Sequence, residues 1–298
     1  MSMIELLPGD SRYPALLGAI SSPPRLFVRG SLEHEDTLAI AIVGSRHATP
    51  YGVGVAEQLA FELAARGVTI VSGLARGIDT AAHRGALAAR GRTLAVLGCG
   101  VDVVYPPENA DLARSIEGHG ALLSQFAPGL PALAGHFPAR NRTIAGLVLG
   151  VVVVEAAERS GALITAGFAG DLGRETFAIP GRITSATSAG ANRLIQDGAK
   201  LVTCWQDIVS ELPDEWRRAV RGSAPTGEQT MPEKESDEGK MLALLAVDEP
   251  QHIERLIADG GFDAARAATA LVTLELGGWA RQLTGQRWVS VTTRAGRA

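Results

Sequence analysis

The chain has 298 residues, 46% hydrophobic and 20% charged, enough apolar material for a large core and too much for overall disorder. Its strongly apolar runs, such as LVLGVVVVEAA, are too short to span a bilayer, and its start lacks a basic stretch leading into an apolar one. Neither membrane insertion nor export is therefore expected, and a cytoplasmic location is. The net charge of −4 is concentrated in residues 211–239, which hold 4 basic and 8 acidic side chains against 17 and 18 in residues 1–210. Any anion site must then be a local cluster. With 25 arginines and 3 lysines, its cations are expected to be arginines.

The first 37 residues, with Pro23–Pro24 blocking a regular element at that point, read as a small cap. From residue 38 short β-branched runs alternate with alanine-rich amphipathic stretches. Strands are expected at 38–43, 68–72, 93–97, 121–124, 150–156, 175–179 and 200–203. Helices are expected near 51–65, 78–89, 108–118, 140–147, 162–172 and 190–197. Continuous apolar strands separated by helices predict an α/β fold, a doubly wound and mostly parallel sheet spanning residues 38–215. Residues 216–239 are polar, acidic and rich in Gly and Pro toward their end, as a linker is. Residues 240–298 then read as helix, turn, helix and a short hairpin, the size of a small winged helix-turn-helix.

Ligands of open α/β sheets bind beyond the carboxyl ends of the strands, at glycine-rich turns and helix N-termini. Four turns qualify: VGSRHATPYG (43–52), SGLARGIDTAAH (72–83), LGCGVDVVYPPEN (97–109) and EAAERSGALITAG (155–167). Neither a dinucleotide fingerprint nor a Walker loop is present. Cys99 and Cys204 are too few and too far apart for a disulfide framework or a zinc site, so no metal or cofactor is expected. No nucleophile–histidine order stands out either. Asp79 and His83, four residues apart, read as a surface or capping pair. Glu155, at a strand end, reads more readily as a carboxylate paired with a nearby arginine than as a catalytic base.

The stretch HFPARNRTIAGL (136–147) gathers Phe137, Arg140, Asn141 and Arg142. With a helix starting near Ala139, Arg140 falls in its first turn, where free amides favour an anion. Arg142 lies roughly 200° further round, so the two guanidiniums do not converge on one phosphate. Phe137, just ahead of the helix, is placed to stack on a base. Stacking plus phosphate contact without a broad basic groove suits a single strand better than a duplex.

These blocks, with YPALLGAISSPPRLFVRG before them and LVTLELGGWARQLTGQRW after, resemble the DprA/Smf family (DNA-processing protein A) over nearly the whole chain. The resemblance implies an extended Rossmann-like domain that binds single-stranded DNA, and a C-terminal winged helix. It implies a role in natural transformation, protecting incoming strands and loading the recombinase RecA, with no catalytic activity. The family's DNA pocket maps onto Gly44, Ser45 and Arg46, and onto Phe137, Arg140, Asn141 and Arg142, with Ser160, Gly161 and Ala162 as another wall. It also suggests a homodimer, which GANRLIQDGAKLV (190–202) would form through Leu194, Ile195 and Ala199 beside the last strand. Two departures stand out. The additional N-terminal helical domain of many members is not seen, and Ala134 stands where many carry a lysine, which implies one phosphate contact fewer.

Two rival readings come from other classes. The lysine-decarboxylase-like nucleotide phosphoribohydrolases share a GSR turn, but carry a PGG-x-GT-x-x-E loop that EAAERSGALITAG does not match. A duplex-binding regulator acting through the C-terminal unit would rely on AARAATALVTLEL, which has one basic residue, Arg266.

Overall fold

A computed structural model describes residues 3–220, 232–246, 249–276, 279–283 and 285–290. Its larger sheet has nine strands: β1 (Ile4–Leu6), β2 (Leu26–Gly30), β3 (Ala39–Val43), β4 (Thr69–Ser72), β5 (Thr93–Val96), β6 (Gly120–Ser124), β7 (Gly150–Val153), β8 (Glu175–Ala178) and β9 (Lys200–Leu201). Their order is β1-β2-β6-β5-β4-β3-β7-β8-β9. From β6 to β9 every pairing is parallel, with Ile40 opposite Ile70 on one side of β3 and Ile42 opposite Val152 on the other. All seven strands expected from the sequence are present, and the mixed α/β, mostly parallel architecture is the one that their unbroken apolar runs predict.

The helices are α1 (Ala15–Gly18), α2 (Pro50–Ala65), α3 (Ile78–Ala88), α4 (Ala110–His119), α5 (His136–Leu147), α6 (Gly161–Asp171), α7 (Ala189–Gln196), α8 (Trp205–Val209) and α9 (Asp214–Ala219). They cover both faces of the sheet. On one face Leu59 and Leu63 of α2 and Ala82 of α3 share a core with Ile40, Ile42 and Ile70. On the other, Ile144 and Ala145 of α5 and Ala166 of α6 pack on Ala41, Val43 and Val151. Alternate residues of one strand thus feed two cores, which is why β3 shows no polar position.

Two elements differ from the expectation. Residues 4–30 supply two strands, with β1 antiparallel to β2 and β2 antiparallel to β6. The prolines at 23 and 24 lie just ahead of β2, so their missing amides never enter the ladder. Helix α5 starts at His136, not near Ala139, so Phe137 lies inside its first turn. Pro138 is tolerated there because first-turn amides have no intrahelical acceptor. Leu194, Ile195 and Ala199 are half-buried against the core of their own sheet, beside the edge strand β9.

The C-terminal unit holds α10 (Asp237–Leu244), β10 (Gln251–His252), α11 (Ile253–Gly260), α12 (Ala264–Leu276), β11 (Ala280–Leu283) and β12 (Arg287–Ser290). Its three strands run in the order β10-β12-β11 and form a small antiparallel sheet. Met241, Leu256, Leu271, Leu274 and Trp288 share its core. This is the helix, turn, helix and hairpin pattern expected of a winged helix. Part of the expected linker, residues 221–231, lies outside the described residues, while its last residues open α10, with Ser236 as the cap.

Candidate functional site

The strand order reverses at β3, whose neighbours β4 and β7 lead away in opposite directions. A crevice of about 540 Å³ opens beyond the carboxyl ends of these strands, the place where doubly wound sheets take their ligands. Its walls come from the turns after β3, β4 and β7 and from the first turns of α5 and α6.

The turn after β3 is fixed from below. Ser45 N donates to the Glu155 backbone carbonyl (2.7 Å), and Ile78 N donates to the Ser45 carbonyl (3.1 Å). A Cβ on Gly44 would lie 2.8 Å from the Glu155 carbonyl oxygen, so only glycine lets the two turns meet. Gly77, at φ +72°, closes against the same turn in the left-handed region. The Glu155 carboxylate, 2% exposed, accepts from Thr49 N (2.9 Å) and Thr49 Oγ1 (2.5 Å). Glu155 is therefore a brace for the start of α2, and the arginine partner expected for it is replaced by a threonine and its amide.

Braced in this way, the turn presents Arg46 to solvent, its guanidinium carbon 4.9 Å from the centre of the Phe137 ring. Among the described residues Arg46 forms no ion pair. Phe137 is half-buried, and a Cβ on Gly98 would stand 3.0 Å from the ring, so the missing side chain lets the ring lie against the backbone. The α6 wall is built by Ser160, which caps the helix by accepting from Ala162 N (3.3 Å), and by Gly161 and Ala162. Amides at such a start are suited to an anion.

Arg140 holds the floor rather than the rim. It is 4% exposed, and Nη1 donates to the carbonyls of Gly73 (2.6 Å) and Val96 (2.7 Å), while Nε donates to Asn141 Oδ1 (3.0 Å). Asn141 in turn donates from Nδ2 to the Gly161 carbonyl (3.1 Å), tying α5 to α6. The Arg140 Nη2 takes no protein acceptor among the described residues, and the residue lines the crevice. Burial depresses the Arg140 guanidinium below its ordinary range, against the charge of Asp79. Burial raises the Asp79 carboxyl, while Arg140 and the amides of Gly73 and Ala75 pull it back down.

Of the expected site residues, Gly44, Ser45, Arg46, Phe137, Arg140, Asn141, Ser160, Gly161 and Ala162 line one crevice. Arg142 does not. Turned round the helix, it donates from Nη2 to Ser21 O (2.6 Å) and Ser21 Oγ (3.1 Å) and braces the N-terminal segment. Asp79 and His83 are buried rather than on the surface, because α3 turns that face to the sheet. Nδ1 of His83 lies 2.7 Å from Thr93 Oγ1, whose own proton goes to the Ile70 carbonyl, and burial lowers the imidazole to about 3. Arg159, on the rim one residue ahead of the Ser160 cap, went unnoticed in the sequence. A lone arginine before a cap was the available signal. Ala134 lies on the same rim. Among the described residues no group of His, Cys, Asp and Glu could hold a metal ion, and no helix is long and apolar enough to cross a membrane.

In the C-terminal unit, Arg266 donates to Asp237 through Nε (2.9 Å) and Nη2 (2.6 Å). The basic residue of α12 is thereby neutralised within its own fold.

Fold and site together define a doubly wound α/β protein with an arginine- and phenylalanine-lined crevice at the switch point, followed by a winged-helix unit. The family model for DNA recombination-mediator protein A matches residues 5–213, and that for the DprA winged helix domain matches residues 225–286. The chain belongs to the DprA/Smf family. It is 41% identical to Protein Smf of Escherichia coli (strain K12), over 94% of this chain and 76% of that protein. The X-ray structure of DNA processing protein A from Streptococcus pneumoniae superposes with a TM-score of 0.68 at 44% identity, covering 72% of this chain and 75% of that one. DNA processing protein A of Helicobacter pylori, whose structure is described for a unique single-stranded DNA binding mode, gives a TM-score of 0.63 at 30% identity over 70% and 95% of the two chains.

Proposed function

We propose that this protein binds single-stranded DNA in the switch-point crevice, protects it, and passes it to RecA during natural transformation, without sequence preference and without chemistry of its own. The observation that carries the reading is the placement of Arg46 over the half-buried Phe137 ring, beside the capped start of α6. A base displaces the guanidinium from the ring and stacks there, and Arg46 swings onto the phosphate that accompanies it. Every base has a face to stack and every nucleotide a phosphate, so the site takes all sequences alike. A duplex hides its base faces and cannot use the ring. That the Helicobacter pylori relative binds a single strand supports the same assignment here. With Ala134 in place of a lysine, the rim contributes one cation fewer.

Catalysis has no evident place in this scheme. Both oxygens of Glu155 are taken by Thr49, so the purified protein is expected to release no base from nucleoside monophosphates. The protein works in the cytoplasm as a homodimer, its two sheet domains paired through α7 and β9, where Leu194, Ile195 and Ala199 are partly buried and Leu201 is exposed. Pairing would align two crevices along one strand and raise the effective concentration of the second. Light scattering is expected to give a dimer for the unmodified protein and a folded monomer for Ile195→Asp. The test of the central reading is a gel-shift with one labelled oligonucleotide, offered as a single strand and as a duplex. Retardation of the single strand, weakening as salt rises, is expected; equal retardation of the duplex would overturn it.

A further inference from the structure

A second, smaller cleft adjoins the crevice and shares Arg46, Ala75 and Phe137 with it. Its other side is formed by Arg76, from the turn after β4, and by Tyr105, from the loop after β5. That loop is rigidly mounted. Asn109, 5% exposed, donates from Nδ2 to the Leu74 carbonyl (2.8 Å) and to Thr80 Oγ1 (2.9 Å), and Pro106 beside Tyr105 is buried. Yet Tyr105 is 42% exposed. Its ring centre lies 6.1 Å from that of Phe137, with the planes tilted by 48°. Arg76 pairs with Glu108, and both side chains are half in solvent.

We propose that this cleft is a second nucleotide subsite, in which Tyr105 stacks the base next to the one on Phe137 and Arg76 exchanges Glu108 for the phosphate between them. The inference rests on the reading of the crevice as a single-strand site. Three features carry it. The tilt between the rings prevents one continuous stack, so each ring takes its own base. Their separation exceeds the roughly 3.4 Å step of a strand in a duplex, so the two bases are splayed, as in recognised single strands. An exposed ion pair of the Arg76–Glu108 kind is held weakly, so a phosphate can take the guanidinium at little cost. The cleft, of about 20 Å³, is too small to enclose a base. The base therefore lies across its mouth on the exposed ring, and a phosphate oxygen reaches the arginine.

The experiment is fluorescence anisotropy of the full chain with labelled oligodeoxythymidines of several nucleotides, alongside thymidine monophosphate as a competitor that fills one subsite. Tyr105→Ala is expected to weaken the longer strand about tenfold and to leave competition by the mononucleotide unchanged, whereas Tyr105→Phe retains full affinity. Arg76→Ala is expected to lower the salt slope by about one, which a merely structural role would not do. Tyr105→Ala binding the longer strand as tightly as the unmodified protein, while Phe137→Ala does not, would overturn the second subsite and leave the crevice standing. No binding by the unmodified protein would overturn both. Photocrosslinking of a strand carrying 5-iododeoxyuridine to the unmodified chain avoids any question of folding. An adduct on the Tyr105 peptide is expected, and adducts confined to Phe137 would contradict the proposal.

Discussion

Two arginine–phenylalanine pairs, one in each domain, show how the same chemistry diverges. In the sheet domain the Arg46 guanidinium lies 4.9 Å from the Phe137 ring centre, and in the C-terminal unit Arg266 lies 5.7 Å from that of Phe262. Phe262 is 7% exposed and belongs to the core, and Arg266 donates two hydrogen bonds to Asp237. Phe137 is half-buried in the wall of a large crevice, and Arg46 pairs with no carboxylate among the described residues. The Arg266–Phe262 pair is closed on itself, while the Arg46–Phe137 pair leaves a cation and a ring open together. Residue type alone does not make a binding site; the lack of competing partners does.

Substitutions at and beneath the two pairs separate them. The largest effect is expected beneath the open pair. Arg140→Ala would leave Asp79 buried without its counter-charge, and the carbonyls of Gly73 and Val96 without their donor. Removing one member of such a buried set costs about 3–5 kcal/mol, to be read as a lower urea midpoint. A loss as small as that of an exposed arginine would mean that the floor of the crevice is not built as described.

A smaller effect comes from pH and belongs to the same domain. Burial lowers His83 from 6.5 to about 3, so the folded state does not take the proton that the unfolded chain binds below pH 6.5. Stability from this group is therefore flat above pH 6.5 and falls as the pH drops, until the folded imidazole titrates near 3. The slope is about 1.4 kcal/mol per unit. Melting curves at pH 7.5, 6.5 and 5.5 should show it in the unmodified protein, and His83→Gln should lose that part of the slope. The smallest effect is expected at the closed pair. Arg266→Ala should leave single-strand affinity unchanged and shift the melting temperature little, because it removes an exposed ion pair. A marked loss of DNA binding would move the interface to the C-terminal unit.

Most of the sheet was legible because its central parallel strands are buried on both faces and so carry an unbroken apolar signature, as β3 and β7 do. Strands β1 and β2 were not, since β2 finds its partner β6 about ninety residues away and no local pattern records such a pairing. The crevice was legible where its residues act through the backbone turn that holds them, as with Gly44, Ser45 and Arg46. It was less legible where a side chain's surroundings depend on distant carbonyls. Arg140 reads in sequence as a first-turn cation beside an anion site, and only the converging ends of β4 and β5 show that it is buried in the floor. Arg142 differs from it by two positions on one helix, and that rotation sends it to Ser21 instead of the crevice.

The claim that the open pair is the DNA site is tested most directly by titrating one labelled single strand, at fixed salt, with the unmodified protein, Phe137→Ala and Arg46→Ala. Loss of the ring is expected to cost about 1–3 kcal/mol of binding, and Arg46→Ala to weaken binding and flatten its salt dependence by about one contact, with melting curves little changed. Full affinity in both variants, with their folds intact, would contradict the account.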